Sequence, residues 1–560
     1  MARILGRASL APQHMVGRHL AALTALAVIC VIAIWRNGQP VALPDVPAGK
    51  LACISYTPRS DVSMPVGSVS KHQIEADLKL LEPETRCIRT YSSTHGMEAV
   101  PDVARAHGLR ILLGIWIGND AASNDAEINA ALATARVNAD IVDGIIVGNE
   151  VLLRHEQTPE TLRAYIERVR AATKIAVTYA DVWEFWRRNP SLSNAVDFIT
   201  IHILPYWEDE PVAVEEALQH VRDIHAQMQS AFPDKRLLIG ETGWPTQGRQ
   251  REGAKPSTVN AARFVREFVA YANASKLPYN IIEAFDQPWK RANEGTVGGY
   301  WGLYGTGGES KFPLQGSVVE DSNWHGGALL AAASGTLFLF IGYLPGYARD
   351  IRVRWMLVAC GVASGVLAYA QWHYQIAANR DAFEWIQSLT GAACGWVLAL
   401  GLTFSLARLK DDESKSISLI AGVEAFDRLC RRLCSLDSVA IWPTLLSALR
   451  LAFLFGVAYI SLGLTLDGRY RDFPLALTIL PALMLILNQL GSDMHKRGRV
   501  GSEEKILAAV IIACAITTVF IEGIHNRSAL VWVVLCLLIG ASTLIAAHSN
   551  GTADIRTRQQ

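Results

Sequence analysis

The chain has 560 residues, 51% of them hydrophobic and 19% charged, with a mean hydropathy of +0.20 and 52 basic residues against 52 acidic ones. That length suggests more than one domain. The low charged fraction disfavours a disordered or wholly soluble chain, and zero net charge removes any compositional case for nucleic-acid binding.

The first 49 residues carry an apolar run over 19–35, predicted to cross a membrane. The run is long, ends in Trp35-Arg36 and has no clear small-residue cleavage site after it, so it reads as an uncleaved anchor rather than a signal peptide.

Residues 50–323 differ: 28 Lys/Arg against 35 Asp/Glu, with short apolar runs broken by charge, Gly or Pro. This is the pattern of a water-soluble domain. The runs are Leu51–Tyr56, Cys87–Tyr91, Ile111–Trp116, Gly144–Gly148, Ile175–Tyr179, Phe198–Ile203, Leu237–Gly240 and Asn280–Phe285. Helical patterns lie between them. In 71–82, Ile74, Leu78 and Leu81 share a face and Ser70 is placed to cap the start. In 159–172, Pro159 suits the first turn, and Leu162, Ile166 and Val169 form the stripe. In 213–231, Val214, Leu218, Val221 and His225 recur on one side. Eight such units predict an α/β fold, a (β/α)8 TIM barrel. An open doubly wound sheet would want a Gly-rich loop after the first strand, where Tyr56-Thr57-Pro58-Arg59 stands instead.

From Trp324 to the last residue, long apolar stretches alternate with short polar loops. Seven candidate spans follow, 326–345, 355–373, 385–407, 443–465, 474–490, 506–522 and 528–547, making 324–560 an all-α transmembrane bundle. With a cytoplasmic N-terminus, the inside segments hold Arg3, Arg7, Arg18, Arg349, Arg352, Arg354, Arg408, Lys410, Lys415, Arg428, Arg431, Arg432, Lys496, Arg497, Arg499, Lys505, Arg556 and Arg558. The short outside loops hold only Arg380, Arg469, Arg471 and Arg527. This asymmetry predicts an inner-membrane protein with both termini cytoplasmic and 50–323 on the periplasmic or extracytoplasmic side. Arg450 lies near the end of a span, where it can snorkel, and Glu522 near another's outer end. So few intramembrane charges favour an anchor or partner-docking bundle over an ion-coupled transporter. Gly361-x3-Gly365 and Gly391-x3-Gly395 fit close helix packing.

Most of the nine cysteines sit in or beside apolar runs. Cys430 and Cys434 form a C-x3-C without a partner pair, which disfavours a zinc site. Cys53 and Cys87 fall on neighbouring predicted strands in an oxidising compartment, either as a disulfide or as two buried thiols.

A TIM barrel places its site at the C-terminal strand ends. In strand order these supply Tyr56; Arg89 and Tyr91; Trp116; Asn149 and Glu150; Tyr179 and Asp181; His202 and Tyr206; Glu241 and Trp244; and Asp286, Trp289 and Lys290, with Trp301 further on. Aromatics between carboxylates suit a neutral, hydroxyl-rich ligand such as a sugar. Glu150 and Glu241 end strands that lie across the mouth, as acid/base and nucleophilic chemistry on a glycosidic bond requires. The competing role is an ion pair with Arg89 or Lys290. No His/Cys cluster of ligand spacing is visible, so neither metal nor organic cofactor is implied.

Lys235–Thr246, which reads KRLLIGETGWPT, resembles the nucleophile signature of glycoside hydrolase family 17. Val147–Glu150 is similar to its acid/base strand, and Ile282–Lys290, Arg89–Ser92 and Tyr300–Leu303 also fit. The match covers about 50–310. The whole chain resembles, by architecture, bacterial membrane-bound members linked to β-1,3/β-1,6-glucan synthesis. The resemblance implies Glu241 as nucleophile, Glu150 as acid/base and Asn149 as partner of the sugar 2-hydroxyl. It also implies Trp244, Trp289, Trp301, Tyr56, Tyr91 and Tyr206 as sugar platforms, some of them core residues instead. Lys290 and Asp286 would contact substrate or orient Glu241. Arg89 would hold a glutamate ionised or buttress the barrel. His202, with Asp197 upstream, reads as a proton shuttle or, more simply, a hydrogen-bonded rim residue. The implied activity is transfer of a β-1,3-glucan glycosyl unit to a sugar acceptor beside a membrane glucan synthase. Hydrolysis of the same bonds is the alternative, and export or docking with a sugar-binding barrel is the reading from another class.

Overall fold

A computed structural model describes residues 12–59, 68–347, 349–408, 419–435, 441–491 and 500–558. Their contacts divide the chain into Pro40–Glu320 and a second unit made of Met1–Gln39 with Asp321–Gln560.

In the first unit, β1 (Ile54–Ser55), β2 (Cys87–Arg89), β3 (Arg110–Ile115), β4 (Val142–Asn149), β5 (Val177–Val182), β6 (Ile199–His202), β7 (Leu237–Thr242) and β8 (Tyr279–Ile281) pair in chain order. All pairings are parallel, and β8 returns to β1 to close the barrel. The two-residue period of a strand sorts its side chains. Ile54, Ile88, Ile145, Val147, Val177, Tyr179, Ile199 and Ile239 belong to the large core. Cys53, Cys87, Leu112, Ile146 and Leu238 form a separate small cluster of the opposite parity, facing the barrel axis. Cys53 and Cys87 are disulfide-bonded, which resolves the two readings of that pair.

The helices start where the sequence signals them. Ser70 Oγ accepts from the Gln73 N–H at the head of Lys71–Leu81, and Thr158 caps Pro159–Ala172 in the same way. Val214–Ala231 buries Val214, Ala217, Val221, Ile224 and Met228, so its stripe runs beside the expected Leu218 and His225, which are half-buried. At the margin of this unit, Val41 and Val318 exchange antiparallel backbone hydrogen bonds of 2.8 and 3.0 Å.

The second unit is helical. Seven helices among the described residues are long and apolar enough to cross a membrane: Val16–Asn37, Trp324–Ile341, Ile351–Ala378, Ala382–Ala407, Ile441–Leu466, Ser502–Glu522 and Arg527–His548. The expected span at 474–490 is a shorter apolar helix containing Pro481. Its 17 residues reach about 26 Å, short of the ~30 Å hydrocarbon thickness. A Cβ on Gly361 or Gly365 would lie 2.6 or 2.5 Å from the carbonyls of Ser334 and Leu330, so these two glycines do admit a neighbouring helix closely. Gly391 has nothing within 4 Å, so the second small-residue pair does not make such a crossing.

Arg450 corrects another expectation. It does not snorkel; it is 2% exposed and paired with Glu504, which is fully buried. The guanidinium Nε and Nη2 donate to the two carboxylate oxygens at 2.8 and 3.0 Å, and Nη2 also reaches the Ile420 carbonyl. Arg3, Arg7, Lys410, Lys415, Lys496, Arg497 and Arg499 lie outside the described residues, as do the side chains of Arg432, Cys434, Arg556 and Arg558.

Candidate active site

The inward parity of β2 aims Arg89 along the barrel axis, where it is 1% exposed. Its Nη1 donates to Glu241 Oε1 at 2.9 Å and to the Gly240 carbonyl at 2.8 Å, and its Nη2 donates to Asn149 Oδ1. Tyr91 gives Glu241 Oε1 a second hydrogen bond of 2.8 Å. Burial first, and the Glu241 charge second, push the Tyr91 phenol well up, so it remains a donor. Gly240 is required at its position because a Cβ would sit 2.3 Å from Thr200 Cγ2 and 3.3 Å from the His202 ring.

Glu150 follows β4 in a left-handed conformation, φ 51°, after Gly148 at φ 84°. His202 Nδ1 lies 2.8 Å from Glu150 Oε1 and 3.7 Å from Glu241 Oε2. Burial is the largest single influence on the Glu150 carboxyl and raises it, but the His202 hydrogen bond and the charges of His202, Arg154 and Arg89 together outweigh it and the net direction is downward. His202 does not pair with Asp197, which instead accepts from the Val177 N–H and Arg170. Ligand atoms of Glu150, His202 and Glu241 all lie within 4.8 Å of one another. Such a cluster was not visible from spacing, because it is assembled from three strands. It has the donors of a cation cradle, yet the Arg89 guanidinium already supplies the positive charge between Glu241 and Asn149.

A second charged group lies at β8. Lys290 Nζ is 2.8 Å from both oxygens of Glu283, a residue 1% exposed. Lys290 therefore pairs with neither Glu150 nor Glu241. Asp286 binds Lys311 and the Gly302 N–H rather than Glu241. Burial pushes Glu294 up to about 7; Lys290 opposes this, and the charges of Glu283, Glu150 and Glu241 add to it. Sequence reasoning missed both Glu283 and Glu294. Glu283 stands inside a motif that it quoted, but no periodicity marks Glu294.

The aromatic expectations divide. Trp116 is 39% exposed at the end of β3, with the Arg154 guanidinium 4.3 Å from its ring centre. Trp289 is half-buried; Trp301 is 4% exposed, belongs to the barrel core and stacks on half-buried Trp207, which was missed. Three further expected platforms are core residues as well. Tyr56 shares the outward parity of Ile54 and donates to Asp77 on the adjacent helix. Tyr206 is fully buried with its hydroxyl on the Arg249 carbonyl. Trp244 is 2% exposed, donates to the Lys255 carbonyl and packs on Phe264. Tyr179 and Asp181 also have outward parity and lie behind Glu150, bonded to each other.

The arrangement offers two carboxyls facing each other, one fixed through a single oxygen by Arg89 and Tyr91, the other against an imidazole. This is a constellation for acid/base and nucleophilic chemistry at one bond.

Residues 53–302 match the family model described as the BtgE/BtgC glycoside hydrolase domain. A glucan 1,3-beta-glucosidase of Arthroderma benhamiae is 29% identical over 298 residues, covering 50% of this chain and 96% of that protein. A glucan 1,3-beta-glucosidase of Saccharomyces cerevisiae is 27% identical over 271 residues, covering 44% and 85%. The crystal structure of a glycoside hydrolase family 17 beta-1,3-glucanosyltransferase from Rhizomucor miehei is 26% identical, with TM-score 0.43, covering 49% of this chain and 99% of that one. The barrel of this chain is similar to the family 17-like glycoside hydrolases, and the protein is an enzyme of the glycoside hydrolase/transglycosylase class.

Proposed function

We propose that the barrel cleaves β-1,3-glucosidic bonds with retention and passes the glycosyl unit to a sugar acceptor. The supporting observation is the close approach of the two carboxylates, with ligand atoms of Glu150 and Glu241 within 4.8 Å across His202. Retaining enzymes hold the pair at about 5–5.5 Å, whereas inverting ones leave room for a water at ~6.5–9.5 Å. The relatives named as glucan 1,3-beta-glucosidases support the substrate class.

In this reading Arg89 and Tyr91 occupy Oε1 of Glu241 and leave Oε2 to attack the anomeric carbon. The C1–O bond to the leaving sugar breaks as the Glu241 ester forms, and protonated Glu150 delivers its proton to the departing oxygen. An acceptor hydroxyl then attacks C1, its proton passes to ionised Glu150, and the Glu241 carboxylate is released. Asn149, held by Arg89, is placed for the sugar 2-hydroxyl, and Trp116 and Trp289 are rim platforms. No step needs a metal or organic cofactor.

Transfer over hydrolysis is favoured by the apolar helices, which a degradative enzyme has little need of. They fit an assembly platform in a cell membrane beside a glucan synthase, with the barrel on the outer side and β-1,6 branching among the products. Hydrolysis is the second reading, supported by the glucosidase names of the relatives.

The test incubates the detergent-solubilised full chain with β-1,3-gluco-oligosaccharides and follows product masses and linkages. Longer or newly 1,6-linked products are expected; shorter products alone make the enzyme a glucanase. Products from Glu241→Gln at the wild-type rate would overturn the assignment of the nucleophile.

A further inference from the structure

Asp181 lies outside the machinery just described, although it is fully buried and ionisable. The parity of β5 turns it away from the cleft, on the same side as Val177 and Tyr179. Its Oδ1 accepts from the Val182 N–H at 2.8 Å, and its Oδ2 accepts from the Tyr179 hydroxyl. That hydroxyl in turn accepts from the Leu152 N–H at 3.1 Å. Leu152 is two residues past Glu150, whose own N–H donates to the Ala180 carbonyl at 2.8 Å. The segment carrying Glu150 is thus tied to β5 at two points, and one tie ends on Asp181. Such ties matter because a non-glycine residue in left-handed backbone costs on the order of 1–3 kcal/mol and persists only where its surroundings over-determine it.

We propose that Asp181 is a positioning residue for Glu150: through the Tyr179 hydroxyl and the Leu152 N–H it fixes the left-handed turn that aims the Glu150 carboxyl. This rests on the reading of Glu150 as acid/base. The groups that surround the two carboxyls set the order in which they ionise. Glu150 faces His202 at 2.8 Å and feels the positive charges of Arg154 and Arg89, all of which favour its ionised form. Glu241 and Glu294 are the other charged groups at this cleft, and Tyr179 is the neutral neighbour behind. Asp181 faces Tyr179, Glu150 and His202; burial pushes it up to about 7, the Tyr179 hydrogen bond works against that, and the Glu150 charge adds to it. Repulsion between two carboxyls is reciprocal, so whichever ionises first makes the other hold its proton. Glu150, drawn down by His202 and the two arginines, ionises before Asp181, so Asp181 acts on Glu150 through its hydrogen bonds and not through its charge.

The test compares Asp181→Asn, Tyr179→Phe and Glu150→Gln in the full chain on two substrates. One is a β-1,3-gluco-oligosaccharide. The other is a 2,4-dinitrophenyl β-glucoside of the same oligosaccharide, whose leaving group departs without a proton. Asp181→Asn keeps one acceptor oxygen where two donors, the Val182 N–H and the Tyr179 hydroxyl, need two, so the turn loses part of its hold. The kcat of this variant on the oligosaccharide should fall about tenfold at neutral pH with KM nearly unchanged, while bond cleavage in the aryl substrate is spared. Tyr179→Phe, which cuts the tie to Leu152, should likewise lose kcat on the oligosaccharide alone. Equal losses on both substrates in either variant overturn the positioning role and leave a structural one; if Asp181→Asn does not fold, Tyr179→Phe decides. Glu150→Gln separates the two levels. Undiminished oligosaccharide turnover there would remove the acid/base assignment itself. Selective loss there, beside an Asp181→Asn enzyme that behaves as the parent does, would remove only this proposal.

Discussion

In the barrel, Arg89, His202, Glu241, Glu283, Asp286 and Lys290 lie at one end of eight strands, all but Lys290 nearly or fully inaccessible. In the helical unit the comparable burial is Arg450 against Glu504. The two differ in how completely the charges are matched. Arg450 and Glu504 satisfy each other through both carboxylate oxygens, which is a structural arrangement. Arg89 is divided among Glu241, Asn149 and a backbone carbonyl, and it engages one oxygen of Glu241. The matching in the barrel leaves the second oxygen of Glu241 outside the Arg89 and Tyr91 hydrogen bonds, whereas both oxygens of Glu504 are taken by Arg450.

Four measurements bear on that contrast, in order of effect. Glu241→Gln should reduce turnover by about 10⁴-fold or more, read as product formation per enzyme, while the thermal unfolding of the protein changes far less. In the helical unit, Arg450→Met or Glu504→Gln alone should cost about 3–5 kcal/mol by stranding a buried charge, read as a lowered unfolding midpoint in detergent. The double replacement Arg450→Met/Glu504→Leu should restore most of that loss; a double variant as unstable as the singles would mean the pair does more than brace. Reduction or Cys53→Ser should destabilise the barrel by roughly 3–4 kcal/mol, since the bridge closes a loop of sequence separation 34, with little change in rate per folded enzyme. Smallest, Gly391→Ala should leave stability within about 0.5–1 kcal/mol of the parent, or raise it, because nothing stands near its missing Cβ. Gly361→Ala should destabilise clearly, because the Ser334 carbonyl occupies that place.

The barrel was legible because its runs and stripes report local periodicity. The runs located all eight strands, even though β1 and β8 proved only two and three residues long in ladder terms. Glu150, Glu241, Arg89, Tyr91, Asn149 and His202 were legible as strand-end polar residues, and the structure brings them together. What failed was parity. Tyr56 is adjacent in sequence to inward-facing Ser55 and therefore points the other way, and the same rule turns Tyr179 and Asp181 outward. The partners of His202 and Lys290 were not legible either, since both pairings join side chains that only closure or the β8 loop brings together. In the helical unit, Arg450 read as a snorkelling end residue because its partner, Glu504, sits 54 positions away at the start of another helix.

The antiparallel exchange between Val41 and Val318 has a topological consequence. It joins the entry and exit strands of a 281-residue insert, Pro40–Glu320, between the first apolar helix and the next. The two ends of the barrel unit therefore leave it side by side, so the whole domain is added at a single point in the path of the chain.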